Sequence, residues 1–469
     1  MHRIPAGRLL HLAFLIVLTL PARAASEPDY AIASPQLVEV LVGLVKIDTS
    51  NPPGNETQAA DYFKSLLDRD GIESEILTLA PGRGNLIARL RGNGKKKPIL
   101  LMGHTDVVGV ERSKWTVDPF GAVIRDGYLY GRGALDDKSM TATCFEVFRW
   151  LHRLHVPLDR DVIFLAEAAE EGTPSEGIDF LVAKHWDKIA CEYALNEGGG
   201  IRTVKGEVQA VGVATTEKVP RAILVSAKGI SGHGSRPRLD NAVVHLCAAV
   251  AKLGQWQPPM RMNATTRVFF ERMAAISTPE EAFLYTHLED PHVGTMVQER
   301  LRATKPEFNS MLRTSISPNI IKAGFRFNVI PADGLATLDV RWLPDEEVEP
   351  FVQSLRKLVD DPAIELTLAE PGSRKPAAPS SIDTEMFRAL EHAQRRIFPS
   401  AITLPLMLTG ATDSAQLREK GVQAYGLGTL ANEVDGATIH GNDERVSVEG
   451  LGKFLRYLYT VVVEIAASK

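Results

Sequence analysis

The chain has 469 residues and a formal net charge of −5, with 44% hydrophobic and 24% charged residues. That length exceeds what one hydrophobic core fills, so two or more compact units are expected. Mild acidity gives no electrostatic footprint for nucleic acid, which calls for a clustered basic surface. Cys144, Cys191 and Cys247 are too scattered for a disulfide framework or a zinc-thiolate cluster.

The first 24 residues read as a signal peptide. Arg3 and Arg8 precede the apolar run "LLHLAFLIVLTL", and Ala22-Arg23-Ala24 supplies small residues for cleavage. The apolar run from Leu9 to Leu20 is short of the roughly 20 residues that a membrane span needs. An exported chain with no membrane anchor after processing is the expectation. "SPQLVEVLVGLVKI" then has helical periodicity with Ser34 as its cap, and "DTSNPPGNE" is a loop. "ETQAADYFKSLLDRDG" reads as a helix ending at Gly71, followed by the short apolar runs "SEILTL", "NLIARLRG" and "PILLMGH". A helix from about Ser139 to His155 and the strand "DVIFLAEA" complete an alternation that predicts an α/β sheet.

The texture changes from about Arg221. "RAILVSAKG", "GLATLDVRWLP" and "AIELTLAEP" read as strands, and "NAVVHLCAAVAKLGQ" and "DEEVEPFVQSLRKLVDD" as helices. This predicts an α+β unit over 220–372 inserted between catalytic segments 33–219 and 373–469. Trp256 to Leu312 is a mostly helical excursion with no legible motif. Cys144 and Cys247, among apolar helical neighbours, are expected to be small buried hydrophobes.

Acids and histidines stand just after predicted buried strands. "PILLMGHTD" ends in His104 and Asp106, "VIFLAEAAEEG" in Glu170 and Glu171, and "YALNEGGG" in Glu197. "YGRGALDDK" adds Asp136 and Asp137, and "GATIHGNDE" adds His440. Open α/β sheets bind ligands beyond the carboxyl ends of their strands. Two imidazoles with a surplus of carboxylates suit a borderline divalent metal, with ligands enough for two ions.

On "IDTSNPPGNE", "GHTDVV", "WTVDPFGAVIRDGYLYGRGALDDK", "NEGG", "KAGFRFNVIPADG" and "IHGNDERVS", the chain resembles the co-catalytic di-zinc exopeptidase and amidohydrolase family. This includes carboxypeptidase S, aminoacylase, acetylornithine deacetylase, succinyl-diaminopimelate desuccinylase and carnosine dipeptidase. The nearest texture is the carboxypeptidase S and secreted N-acyl-amino-acid hydrolase branch. The resemblance implies a mixed-sheet α/β catalytic domain with an inserted α+β lid that can pair two chains into a homodimer. It implies two divalent metal ions, zinc first, with cobalt or manganese also accepted by such ligands. Asp136 would bridge them, with His104 and Glu197 on one ion and Glu171 and His440 on the other. Asp106 would orient His104, and Glu170 would be the general base.

From the lid, the resemblance gives His233 the oxyanion of the tetrahedral intermediate, often across a dimer. It gives Asn328 a place in the same pocket and Arg341 a grip on the substrate carboxylate. The "TGATDS" loop, with Gly410 and Thr412, would finish that carboxylate pocket. The implied reaction is carboxypeptidase or dipeptidase cleavage of an amide beside a free α-carboxylate, with N-acyl-amino-acid hydrolysis as the alternative. The substrate would be a small peptide or an N-acyl amino acid. Two positions depart from the family pattern: Ala169 stands where an acid is usual, and Ser139 where glycine follows "DDK".

Overall fold

The computed structural model describes residues 27–468 except 371 and 373, so the signal segment 1–24 lies outside the described residues. A ten-stranded mixed sheet forms the larger body. At its centre, Val162–Glu167, Ile99–His104, Tyr193–Asn196 and Gln423–Gly426 lie side by side and parallel. Their side chains are almost all buried, as parallel strands covered on both faces require. Helices Tyr30–Val45, Glu56–Arg69, Lys138–Arg153, Glu385–Ile397 and Val448–Ala466 cover one face with a continuous core that includes Phe63, Phe145, Phe164 and Tyr457. Ile178–Lys184 and Ser414–Glu419 cover part of the other face around Leu181 and Leu417.

The first helix begins earlier than its sequence pattern suggested. It spans Tyr30–Val45, and Asp29 rather than Ser34 caps it, accepting from the Ala31 N–H at 3.0 Å. Pro35 therefore sits inside the helix. The second helix ends as expected: Gly71 takes φ +71, a conformation that glycine adopts without a Cβ penalty.

After Glu217 the chain leaves the large sheet and builds a five-stranded antiparallel one from Val219–Pro220, Ile223–Lys228, Ser315–Ala323, Asp333–Trp342 and Ile364–Leu368. Helices Ala242–Gln255 and Val348–Val359 pack on it around Leu246, Leu338 and Leu355. Cys144 is buried as expected, but Cys247 is exposed, because it falls on the outer face of its helix. The chain rejoins the large sheet at Ser380, whose N–H donates to the Thr215 carbonyl at 2.8 Å.

Trp256, at the start of the excursion, packs on Phe351 of the small unit, but the helices that follow build their core against the large sheet. Helix Ala264–Ala275 lies against strand Ile402–Leu408 of the large sheet, and Phe269, Phe270, Met273, Tyr285 and Leu301 form a separate core with Leu404 and Met407. Among the described residues no helix is long and apolar enough to cross a membrane.

Candidate active site

Because the central strands run parallel, their carboxyl ends open on one edge of the sheet. His104 is the last residue of its strand, Glu197 directly follows Asn196, and Glu170 and Glu171 stand three and four residues past Glu167. Asp136 arrives from a loop that ends at helix Lys138–Arg153, after a cis bond to Asp137. Close approach of that loop requires Gly103. A Cβ there would lie 2.4 Å from Thr141 Oγ1 and 2.6 Å from Asp137 Oδ2.

The geometry brings the seven predicted residues of this cluster together. His104 Nε2 stands 3.3 Å from Asp136 Oδ1 and 3.9 Å from Glu197 Oε1. His440 Nε2 stands 2.9 Å from Glu171 Oε1 and 3.1 Å from Asp136 Oδ2. Asp136 thus reaches both imidazoles with different oxygens, the disposition of a bridge. Ligand atoms of His104, Asp136 and Glu171, and again of His104, Glu170 and Glu197, converge within 4.8 Å of one another.

Asp106 organises this cluster from beneath. It is fully buried, and Oδ1 accepts from the Glu170 N–H at 3.1 Å. Oδ2 accepts from the Glu171 N–H at 3.0 Å and from Asn51 Nδ2 at 2.8 Å. Burial alone would raise its carboxyl, but His104 and these donors hold it below the usual range. The expectation that the Asp106 carboxylate orients His104 needs refinement. The ring Nδ1 lies 3.0 Å from the Asp106 backbone carbonyl and 3.4 Å from its Oδ1. The carbonyl is therefore the nearer acceptor for Nδ1–H, which leaves Nε2 free as a ligand. Two consecutive N–H groups can meet one carboxylate because Ala169 turns through φ +74, a conformation that costs about 1–2 kcal/mol outside glycine.

Excess negative charge dominates the local field. Burial works to lower the His104 pKa, yet hydrogen bonds to Asp106 and Asp136 carry it well above its ordinary value. Asp136 and Glu171 push His440 up to about 10. Burial raises Glu197, and it raises Glu170 to about 8 against the opposing charge of Arg374. Five carboxylates and two imidazoles converging with so little compensating charge form a donor set that fits two divalent cations. Asp136, His104 and Glu197 would hold one, and Asp136, Glu171 and His440 the other.

Two residues in this region carried no assigned role in the sequence reading. Glu444 is fully buried, and its carboxylate accepts from the N–H groups of Gly133, Leu135 and Asp136 at 3.1, 2.8 and 3.0 Å and pairs with Arg132 at 2.6 Å. It ties the Asp136 loop to the segment that carries His440; the quoted "IHGNDE" contained it. Arg374, in the Pro- and Gly-rich return from the small sheet, pairs with Glu170 and reaches Asp413 Oδ1 at 3.3 Å. No periodicity or motif marks it.

The remaining predicted residues make no direct hydrogen bond to this cluster, although Arg374 Nε donates to the Thr412 carbonyl at 3.3 Å. His233 is exposed, with Nδ1 2.8 Å from Ser235 Oγ, on a short strand paired with Val329–Ile330. Asn328 sits beside it: its carbonyl accepts from the Gly234 N–H at 2.9 Å, and its buried Oδ1 has no partner. Arg341 is half-buried and pairs with Asp339 at 2.8 Å. Thr412 is buried, with its N–H and Oγ1 donating to the Glu217 carboxylate at 3.0 and 2.9 Å, while Gly410 is half-buried. Among the described residues, no hydrogen bond or ion pair joins these five to the metal-facing carboxylates.

Comparison with known proteins identifies the family. A family model described as "Peptidase family M20/M25/M40" matches residues 100–464. The chain is 26% identical over 462 residues to human N-fatty-acyl-amino acid synthase/hydrolase PM20D1, covering 94% of this chain and 89% of that protein. It is 27% identical over 377 residues to a probable carboxypeptidase S-like 2 of Dictyostelium discoideum, covering 78% of this chain and 71% of that protein. Among solved structures, the M20 family metallo-carboxypeptidase Sso-CP2 from Sulfolobus solfataricus superimposes with a TM-score of 0.70 at 17% identity, covering 92% of this chain and 99% of that one. The chain belongs to peptidase family M20/M25/M40 and is a hydrolase of amide bonds.

Proposed function

We propose that this protein is an exported metal-dependent hydrolase that cleaves an amide adjacent to a free α-carboxylate, with carboxypeptidase or dipeptidase action as the first reading. The observation that carries it is the convergence of His104, Asp136, Glu171, Glu197 and His440 at the strand ends, with Glu170 beside them. Two divalent ions, zinc in the first place, would polarise the scissile carbonyl and make a water acidic enough to react at neutral pH. Glu170 takes the proton from the attacking water on its carboxylate and returns it to the leaving amine. The buried Asp106 fixes the His104 ring and the backbone of both glutamates, so the base keeps its position.

The inserted unit supplies three of the substrate contacts in this reading. His233 donates to the oxyanion, Asn328 adds its amide, and Arg341 grips the α-carboxylate, with Gly410 and Thr412 closing that pocket. Exposed His233 fits a role across a homodimer, as do the exposed Phe325, Phe327, Ile320 and Ile321 in the segment that leads into the strand paired with His233. N-acyl-amino-acid hydrolysis is the second reading, favoured by the likeness to the human N-fatty-acyl-amino acid enzyme along nearly the whole chain.

A panel of dipeptides, C-terminally extended peptides and N-acyl amino acids tests the function, with Glu170→Gln as the blank. The variant is expected to lose about 10²–10⁴-fold in turnover while still binding metal. Normal turnover by Glu170→Gln would remove Glu170 from its role.

A further inference from the structure

The inserted unit joins the large body through two connections, and both hold Thr412. On the way out, the Glu217 carboxylate accepts from the Thr412 N–H at 3.0 Å. On the way back, the Ala369 N–H still donates to the Ala222 carbonyl beside the small sheet, at 3.0 Å, and Ser380 is already tied to the large one. Between them stands Arg374, whose Nε donates to the Thr412 carbonyl at 3.3 Å.

The rest of this guanidinium turns toward Glu170. Nη2 pairs with the Glu170 carboxylate and reaches the Glu170 carbonyl and Asp413 Oδ1, each at 3.3 Å. Among the described residues no other side chain donates to the Glu170 carboxylate. Asp106 holds Glu170 only by its backbone N–H. The side-chain torsions of Glu170 lie beyond that anchor, and each has several staggered wells. A base works only within hydrogen-bond reach of the proton it takes, and a misplacement of about 1 Å can cost about 100-fold in rate. A planar fork of donors can hold a carboxylate and a carbonyl at once, which a single ammonium does with less geometric control. The Arg374 side chain is 17% exposed, and its charge is shared between two protein carboxylates, Glu170 and Asp413.

We propose that Arg374 is a positioning residue: it clamps the Glu170 carboxylate to the Thr412–Asp413 loop and so fixes the base relative to the attacking water. The proposal rests on Glu170 as the general base and adds what holds that carboxylate in place.

The test measures kcat, KM and zinc Kd on the zinc-loaded protein, with the best substrate of the dipeptide and N-acyl-amino-acid panel. The variants are Arg374→Met, Arg374→Lys, Glu170→Gln and the double variant Glu170→Gln/Arg374→Lys. Arg374→Met should lower kcat about 100-fold, with KM and zinc Kd close to wild type. Arg374→Lys keeps a cation beside Glu170 without the fork, and its kcat should fall between the two. Added to Glu170→Gln, it should cost nothing further, because a clamp acts only through what it holds. Losses that multiply in the double variant would overturn the proposal, and this result decides the matter even if Arg374→Met does not fold. A raised KM at unchanged kcat would put Arg374 on the substrate instead, and a zinc Kd weakened as far as kcat would put it on metal retention; either overturns the clamp. Wild-type kcat in Arg374→Met beside an inactive Glu170→Gln would overturn the clamp alone. Normal turnover by Glu170→Gln would remove the base and this proposal with it.

Discussion

Asp106→Asn isolates the residue that holds the metal-facing loops without facing the metals itself. Its two oxygens serve different partners: Oδ1 takes the Glu170 N–H and lies 3.4 Å from His104 Nδ1, while Oδ2 takes the Glu171 N–H and Asn51 Nδ2. An amide keeps the shape but turns one oxygen into an NH₂ donor. If that NH₂ takes the Oδ2 position, it confronts two donors at once. Two hydrogen bonds to a buried charged acceptor are then lost, at about 1.5–3 kcal/mol each, or about 3–6 kcal/mol in total. In the opposite orientation, the Glu170 N–H is stranded and the His104 ring is pushed away. Either orientation also loosens a ligand, and loss of such a supporting group typically lowers metal affinity about 10–100-fold. Urea unfolding of the metal-loaded protein and competition for zinc with a calibrated chelator measure the two effects separately. An unfolding midpoint and a zinc Kd both equal to wild type would refute the role of Asp106 as the organising acceptor.

Metal removal should abolish turnover and lower the thermal midpoint together, since ions at 1,000 times their Kd stabilise the folded state by about 4 kcal/mol; turnover by demonstrably metal-free protein would sink the mechanism. His233→Ala should cost about 3 kcal/mol in kcat/KM; mixing it with Glu170→Gln should restore part of the activity if His233 serves a partner's site, and no restoration would place its action within one chain. Lys218 gives a pH signature of its own. Its ammonium donates to the Arg313 carbonyl at 2.5 Å, and burial, then the charges of Arg341 and Arg313, lower its pKa from 10.5 to about 7. Between those values the unfolded chain binds more protons, so the Lys218 contribution to stability rises with pH. Lys218→Met should therefore gain stability relative to wild type as pH falls from about 10 to 7, and level off below; a difference that is constant with pH would disprove the buried, lowered lysine.

His104, Glu171 and Glu197 were legible because each stands at or just past the end of an apolar run that reads as a buried strand. Parallel strands put their ends on one edge, so strand order alone assembled His104, Glu171 and Glu197. Asp136 and His440 lie in loops, and only the motif resemblance placed them. Arg374 was invisible for the opposite reason: it sits in an irregular segment where neighbouring residues carry no periodic signal, and only the folded path carries it to Glu170. The first helix was placed too late because Ser34 and Pro35 imitate a start signal, while Asp29 makes the actual cap five residues earlier. Amphipathic pattern showed that Trp256 to Leu312 is helical but could not show that these helices would choose the large sheet over the small one. That choice depends on Leu404 and Met407, roughly a hundred residues further along the chain.

That choice of packing partner also bears on how such an enzyme can diverge. The excursion helices are held by their own interior of Phe270, Tyr285 and Leu301, far in the chain from every proposed metal ligand. Substitutions at Phe269, Met273 or Phe308 can reshape that interior while His104, Asp136 and Glu171 keep their distances. The interior of these helices and the candidate metal site thus lie on separate pieces of the polypeptide.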